Sequence, residues 1–383
     1  KWIGLGLKRL GLKRGDVVQI LSEDRKEWLY FDMGIQCVGG IASGIYTTDA
    51  ATQVAYILKD SACRFLIVEN EEQLDKFLEI PDGAPGVEKV IILEEEGLHA
   101  LEGDRYMFLP ELYALGQDEE KAAPGSFEAE IGQSAPEDVA LLIYTSGTTG
   151  APKGAMLSHG NIVANVMQLD GFFETFGIEA QGSVFMQPLP VYHIYAFTIS
   201  MYSLKKGAHT LFIPNPRDLG SVVDAFEQYK PTVFCGLNTL FVALCNDPRF
   251  QSLTFENLAL TMSGGMALTQ DAAERWAEVT DCKVYEGYGL TETSPTATSN
   301  PGNGRQLGTI GIPVPQTEVK TVNEQGETLG FGDAGELCIK GPQVMQGYWQ
   351  RPEATAEVLD ESGWFSTGDV AVIQPDGYLK IVD

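Results

Sequence analysis

Tyr144-Thr145-Ser146-Gly147-Thr148-Thr149-Gly150-Ala151-Pro152-Lys153-Gly154 continues an apolar run, Val139 to Tyr144. Four Ser/Thr hydroxyls, three glycines and one lysine in eleven residues supply what a polyphosphate needs: amides that can approach closely, hydroxyl donors and one fixed positive charge. The nucleotide loop built on Gly-Lys-Ser/Thr keeps a hydroxyl beside its lysine to hold Mg²⁺. Here Pro152 precedes Lys153 and Gly154 follows it, which argues against a P-loop ATPase. A flexible linker would share the Ser/Thr/Gly content, but the strand before the loop and the lysine after it are not linker features. Thr145, Ser146, Gly147, Thr148, Thr149 and Gly150 are therefore the candidate phosphate-binding residues, with Lys153 as the charge.

Outward from this loop, apolar strand-like runs alternate with helical patterns: Val17 to Leu21, Trp28 to Val38, Ile41 to Tyr46, Ala51 to Leu58, Arg64 to Val68, Gln73 to Leu78 and Lys89 to Leu93. That rhythm predicts a parallel sheet covered on both faces. The acidic stretch from Glu94 to Glu137, with Glu94-Glu95-Glu96 and Asp118-Glu119-Glu120, reads as a loop-rich excursion whose charges face solvent. Alternation resumes with Val139 to Tyr144 and Asn161 to Leu169, then Ser221 to Tyr229, Thr232 to Cys235, Leu237 to Cys245 and Leu258 to Met262. After Pro301 come short β runs separated by turn signals. The predicted class is α/β: two α/β subdomains with parallel-rich sheets over residues 1–137 and 138–300, the second carrying the phosphate loop, then a small β subdomain over 301–383.

The 383 residues, 44% apolar and 21% charged, suit a globular protein of two or three domains. Set against 53 acidic residues, 26 basic ones leave a formal charge of −27, which would repel a phosphate backbone and argues against nucleic acid as a partner. An anionic ligand must then be held locally by amides, a lysine or a metal. Cys37, Cys63, Cys235, Cys245, Cys282 and Cys338 form no Cys-x-x-Cys pair, and His99, His159, His193 and His209 stand at no metal-ligand spacing beside them. Free thiols in a reducing compartment are expected, and a structural zinc is not. The longest apolar runs fall far short of the ~20 residues that span a bilayer.

Downstream stand Ser263-Gly264-Gly265-Met266, then Tyr285-Glu286-Gly287-Tyr288-Gly289-Leu290-Thr291-Glu292, then Ser366-Thr367-Gly368-Asp369. Glu292 follows a glycine-rich turn and is the best candidate ligand for Mg²⁺, a hard cation that takes one or two carboxylates plus phosphate oxygens. Thr291 beside it has a hydroxyl suited to an α-phosphate oxygen. Asp369 can accept both vicinal hydroxyls of a ribose, or can simply shape a Thr-Gly-Asp turn; residue type leaves both readings open. His193, in a Pro/aromatic segment, is by residue type more often a packing group than a catalyst.

These motifs, in this order, resemble the AMP-forming acyl-adenylate superfamily of acyl-CoA synthetases, adenylation domains and luciferases, over nearly the whole chain. Within it, Pro190-Val191-Tyr192-His193-Ile194-Tyr195-Ala196-Phe197, Gly341-Pro342-Gln343-Val344-Met345, Gly347-Tyr348-Trp349 and Gly363 to Asp369 look most like bacterial long-chain fatty acid CoA ligases. The part before about residue 170 is closer to another long-chain subgroup. The resemblance implies the large N-terminal domain of the acyl-adenylate-forming fold. It also implies an adenine pocket lined by Gly264, Gly265, Met266, Glu286, Gly287, Tyr288 and Gly289, core filling being the alternative for Met266. By the same carry-over Asp369 holds the ribose, and His193 lies near the substrate carboxylate. Phe197 matches an aromatic gate between ATP site and acyl tunnel, with ordinary core as its alternative. Catalytic roles fall to Lys153, Thr291, Glu292 and His193, with Mg²⁺ on Glu292 and with ATP, CoA and a fatty acid as substrates.

In such enzymes a carboxylate attacks the α-phosphorus of ATP, pyrophosphate leaves, and the CoA thiol then displaces AMP from the acyl-adenylate. A smaller C-terminal domain rotates between the half-reactions and supplies a lysine for adenylation. This chain opens at Lys1 without a methionine and stops at Asp383, where the family's hinge follows Tyr378 to Asp383. It is therefore expected to be a fragment that binds ATP and acyl-AMP but adenylates poorly. Other readings stay open: a fatty-acyl-AMP ligase that serves a carrier protein, a medium-chain or aryl acid ligase, a luciferase-like oxygenase, or a non-catalytic nucleotide-binding relative. Intact Lys153, Glu292 and Asp369 argue against the last. A cytoplasmic location, peripheral contact at the inner face of the membrane and a homodimer are compatible with the resemblance, although −27 opposes anionic headgroups.

Overall fold

The computed structural model describes residues 1–98, 101, 103–145, 150–179 and 181–382. It divides into two units: Lys1–His159 with Tyr348–Gln350, and Gly160–Gly347 with the residues from Arg351 onward.

In the first unit the described strands lie in the order Lys153–Ser158, Val139–Thr145, Ile41–Gly44, Val17–Leu21, Phe65–Val68, Lys89–Ile92, Tyr106–Phe108. All neighbouring pairs are parallel except that of Lys153–Ser158 with Val139–Thr145, which is antiparallel. Val17–Leu21 and Phe65–Val68 are buried at every position, as strands covered on both faces must be. Val54, Ile57 and Leu58 of helix Ala51–Asp60 and Leu74 and Phe77 of helix Glu71–Leu78 pack in one core cluster with Val17, Leu21, Leu66 and Val68.

Two expectations change here. Val139–Thr145, expected to open the second subdomain, belongs to the first, because Ala42, Ser43 and Gly44 pair with Leu141, Leu142 and Ile143. The boundary falls after His159 instead of after residue 137, and residues 301 onward, other than Tyr348–Gln350, group with the second unit instead of standing apart. The acidic stretch is also more ordered than expected. It contributes the edge strand Tyr106–Phe108 and the helices Leu109–Ala122 and Ser126–Ile131. Its charges do not simply face water: Glu120 and Glu128 each lie 2.9 Å from the Lys1 ammonium, Glu119 lies 3.4 Å from Arg9, and Glu130 pairs with Lys8. Such pairs contribute little each, and the burial of Leu109 and Leu112 holds the long helix down.

One buried group makes this unit sensitive to pH. Asp32 of helix Lys26–Cys37 is wholly buried; Oδ1 accepts from Gln36 Nε2 at 2.7 Å, and Oδ2 has no partner among the described residues. Burial pushes its carboxyl up to about 7. The folded chain thus keeps a proton that the unfolded chain releases near pH 4. The Asp32 contribution to stability is fully present below that pH and is lost as pH rises through about 7. Asp32→Asn should raise Tm at pH 8 by on the order of 5 °C, with no gain at about pH 4, in melts followed across pH. A Tm difference independent of pH would contradict this account.

In the second unit the described strands of the larger sheet run Ile312–Pro313, Thr296–Ser299, Val284–Gly289, Leu260–Ser263, Val233–Gly236, Val184–Gln187, His209–Phe212. The last five are parallel and the first two antiparallel. Phe226, Phe234, Phe241, Phe250 and Trp276 fill the core on one face, with Phe234 stacked on Trp276 at 5.4 Å between centroids. The smaller sheet is antiparallel: Glu318–Val322, Ala334–Lys340, Phe365–Ile373, Leu379–Ile381. The expected class, two parallel-rich α/β sheets with a small β part, is the one observed. Among the described residues no helix is long and apolar enough to cross a membrane.

Candidate functional site

The phosphate loop closes between two paired rungs of the first unit, Thr145 opposite Lys153 and Tyr144 opposite Gly154. It thus joins a strand to an antiparallel strand and does not open a helix. The arms are fixed from outside: Tyr144 donates its hydroxyl to Asp60 Oδ2 at 2.9 Å, Tyr56 donates to Pro152 O at 2.9 Å, and the Trp349 N–H reaches Gly154 O at 2.7 Å. Lys153 is half-buried, its ammonium 5.0 Å from the centre of the Tyr348 ring, a cation–π contact that holds the charge in place. Ser146, Gly147, Thr148 and Thr149 lie outside the described residues.

The other candidates stand in the second unit at the ends of two neighbouring parallel strands. Leu260–Ser263 delivers Gly264, Gly265 and Met266, and Val284–Gly289 carries Glu286, Gly287, Tyr288 and Gly289. Gly264 lies against the Tyr195 ring, where an added Cβ would come within 3.4 Å. Met266 is 49% exposed, so core filling is not its role. A register shift follows Tyr288, and Gly289 is obligatory: a Cβ there would come 1.8 Å from Pro295 O. The Glu286 carboxylate accepts from the Gly308 N–H at 3.4 Å, and burial raises its pKa.

Asp369 lies on strand Phe365–Ile373, where Gly368 at φ +78 interrupts the strand conformation. Its N–H donates to Thr367 Oγ1 at 3.1 Å, and Thr367 in turn donates to Leu337 O at 2.8 Å. The Tyr288 hydroxyl donates to Asp369 Oδ2, which joins an expected adenine-pocket residue to the expected ribose residue across 81 positions. Burial, with this carboxylate beside it, pushes the Tyr288 hydroxyl pKa well up and keeps its proton in place.

Thr291 and Glu292 sit on a short 3₁₀ turn, Thr291–Thr293. The turn is closed by the Leu290 N–H donating to Thr293 Oγ1 at 2.9 Å, and the Met345 N–H binds Glu292 O at 2.8 Å. Glu292 is 7% exposed. Among the described residues no three His, Cys, Asp or Glu side chains cluster as a metal cage. A single nearly buried carboxylate beside a hydroxyl fits Mg²⁺, which takes most of its ligands from phosphate and water.

His193 turns out to cap a helix. Its Nδ1 accepts from the Tyr195 N–H at 3.2 Å at the start of Ile194–Lys206, and burial lowers its pKa. The neutral ring then carries its proton on Nε2, which is left as a donor. Phe197, one turn on, is 1% exposed. Residue-type reasoning missed the buried amides Asn165, Gln168 and Gln343. The signal was present: Asn161, Asn165 and Gln168 recur at helical spacing on one face of helix His159–Glu174.

A model of the AMP-binding enzyme family matches residues 3–349. A long-chain-fatty-acid–CoA ligase of Haemophilus influenzae is 46% identical over 250 residues, 64% of this chain and 44% of that protein. One of Salmonella typhimurium is 37% identical over 392 residues, 98% of this chain and 68% of that protein. Aligned regions thus span 44% to 68% of these curated relatives. An anthranilate CoA ligase solved with anthranoyl-AMP superposes at a TM-score of 0.87 and 26% identity, over 99% of this chain and 70% of that one. With a family model that matches residues 3–349 of 383, the chain belongs to the AMP-binding enzyme family.

Proposed function

We propose that this chain carries the nucleotide and acid sites of an AMP-forming long-chain fatty acyl-CoA ligase, which converts ATP, a fatty acid and CoA to acyl-CoA, AMP and pyrophosphate. The observation that carries the reading is the strand end Val284–Gly289, which offers Tyr288 bonded to Asp369 and leads straight into the nearly buried Glu292. The similarity to long-chain ligases supports this choice of acid class.

In this reading Asp369 accepts the ribose hydroxyls, and Tyr288 and the glycines around it receive the adenine. The hydroxyls and amides of Thr145 to Gly150 hold phosphate oxygens, and Lys153 neutralises them. Glu292 would hold Mg²⁺, which when bound spreads the charge that builds on the leaving pyrophosphate. The Thr291 hydroxyl donates to an α-phosphate oxygen, and His193 Nε2–H donates to the fatty carboxylate and orients it. A carboxylate oxygen then bonds to the α-phosphorus as the bond to pyrophosphate breaks. No proton moves, so positioning and charge neutralisation are what the side chains contribute. In the second half-reaction the CoA thiol gives up its proton to solvent, its sulfur bonds to the acyl carbon, and the bond from that carbon to the phosphate oxygen breaks to release AMP.

Thermal stabilisation of this chain by a non-hydrolysable palmitoyl-AMP analogue tests the reading, with AMP, a benzoyl-AMP analogue and GTP as controls. A large shift with the palmitoyl analogue and a small one with AMP is expected. An equal shift with AMP and both acyl analogues would remove the long-chain assignment, and no shift with AMP would remove the nucleotide site. One observation favours an aryl acid instead. Among the described residues the buried Tyr195 hydroxyl and Gln187 amide find no oxygen or nitrogen partner and rest against the Cys235 thiol. A polar substituent on the acid would satisfy them, and preference for a hydroxybenzoyl-AMP analogue over both the benzoyl and palmitoyl analogues is the outcome that reading requires.

A further inference from the structure

The turn that carries Thr291 and Glu292 is gripped by a buried polar network. Asn165, wholly buried, binds the Thr296 backbone twice: Oδ1 accepts its N–H at 3.0 Å and Nδ2 donates to its carbonyl at 2.8 Å. Asn165 Nδ2 also donates to Gln168 Oε1 at 2.8 Å. Gln168 Nε2 lies 3.1 Å from Gln343 Oε1 and 2.7 Å from Pro315 O. Gln343, also wholly buried, donates Nε2 to Thr317 Oγ1 at 2.7 Å, and its carbonyl accepts from Ser294 Oγ at 2.8 Å. Thr198 Oγ1 donates to Ser294 O at 2.9 Å. Two residues on from Gln343, the Met345 N–H binds Glu292 O at 2.8 Å. Asn161 Nδ2 holds the carbonyls on either side of Gln343, Pro342 O at 2.8 Å and Val344 O at 2.9 Å.

Burying amides costs free energy that apolar groups of similar volume would not, so a network this complete is a poor device for stability alone. What a fully satisfied network supplies is one rigid geometry. Here the branches end on residues 292–296, on the 342–345 segment that clasps them, and on Pro315 and Thr317. We propose that Gln343, tied to the amide face of helix His159–Glu174, is a positioning residue for Glu292 that sets the carboxylate for the metal–phosphate complex of the bound nucleotide. This rests on the metal role proposed for Glu292. Groups that orient a metal ligand usually govern roughly 10- to 100-fold in metal affinity while touching neither metal nor nucleotide.

The test measures Mn²⁺ affinity by electron paramagnetic resonance in the presence of α,β-methylene-ATP, beside AMP affinity by calorimetry, on the whole chain. Gln343→Leu should weaken Mn²⁺ binding by about 10- to 100-fold and leave AMP binding within about twofold. Ser294→Ala removes one bond to the Gln343 carbonyl and should show the same selectivity at about threefold to tenfold, which keeps the proposal testable if Gln343→Leu folds poorly. Glu292→Gln is the reference for the reading underneath. If it weakens Mn²⁺ binding and both network variants do not, the positioning role is wrong and the metal role stands. If Glu292→Gln leaves Mn²⁺ binding unchanged, the metal role fails and the positioning role with it. Loss of AMP and Mn²⁺ affinity in equal measure in the network variants would mark the network as structural and overturn the proposal.

Discussion

Asp369→Ala should weaken AMP binding by on the order of 100-fold, read by calorimetry, and Asp369→Asn by about tenfold. A carboxylate that accepts two ribose hydroxyls makes two charge-assisted hydrogen bonds, each worth about 1.5–3 kcal/mol against water. Part of that is recovered when water solvates the free hydroxyls. Asparagine keeps one acceptor oxygen for the Tyr288 hydroxyl, so the strand end should hold its shape and the loss should reflect the ligand alone. Alanine also leaves the Tyr288 hydroxyl without that acceptor, which adds the cost of an unpaired polar group at a half-buried site. If the alanine variant bound AMP as the parent does, Asp369 would be the turn residue that its Thr-Gly-Asp context also allows.

Glu292→Gln should slow acyl-adenylate formation by at least ~100-fold, measured by fatty-acid-dependent exchange of labelled pyrophosphate into ATP, with AMP affinity within about twofold of the parent. The swap is isosteric and leaves the turn intact, since Glu292 O still accepts from the Met345 N–H and Thr293 still closes the turn on Leu290. What disappears is a charge that a divalent cation needs and that AMP does not. An equal loss of AMP affinity would mean that the carboxylate supports the pocket and does not hold the metal.

Much of this site could be anticipated from residue types. Gly, Ser, Thr and Lys in the order of Thr145 to Gly154 admit few readings other than phosphate binding, because each residue type answers a particular need of an oxyanion. Glu292 and Asp369 could be singled out by the glycines before them, and the Tyr288–Asp369 bond joins the pair that the motifs had implied on separate strands. His193 was open between packing and chemistry. Its capping bond to the Tyr195 N–H assigns Nδ1 to structure and leaves the proton on Nε2. The acidic run at Asp118 to Glu120 was misread because a charge shows its own sign but not its partner. Lys1 and Arg9, more than 100 residues earlier, supply the opposite charges for Glu119 and Glu120.

Residue pattern by itself determined the α/β class, most strand positions of the first unit, the candidate phosphate loop and the family. These rest on local chemistry and on periodicities of two to four residues, which a linear chain displays openly. Tertiary structure decided which sheet the loop strand joins, since Val139–Thr145 is as apolar as the central strands of either sheet and only hydrogen-bond register distinguishes the two. It also decided that three amides on helix His159–Glu174 reach across 131 to 183 positions, Asn165 to Thr296, Gln168 to Pro315 and Gln343, and Asn161 to Pro342 and Val344. Such partners follow from where the chain returns in space, and a buried amide is indistinguishable from an exposed one until that return is made.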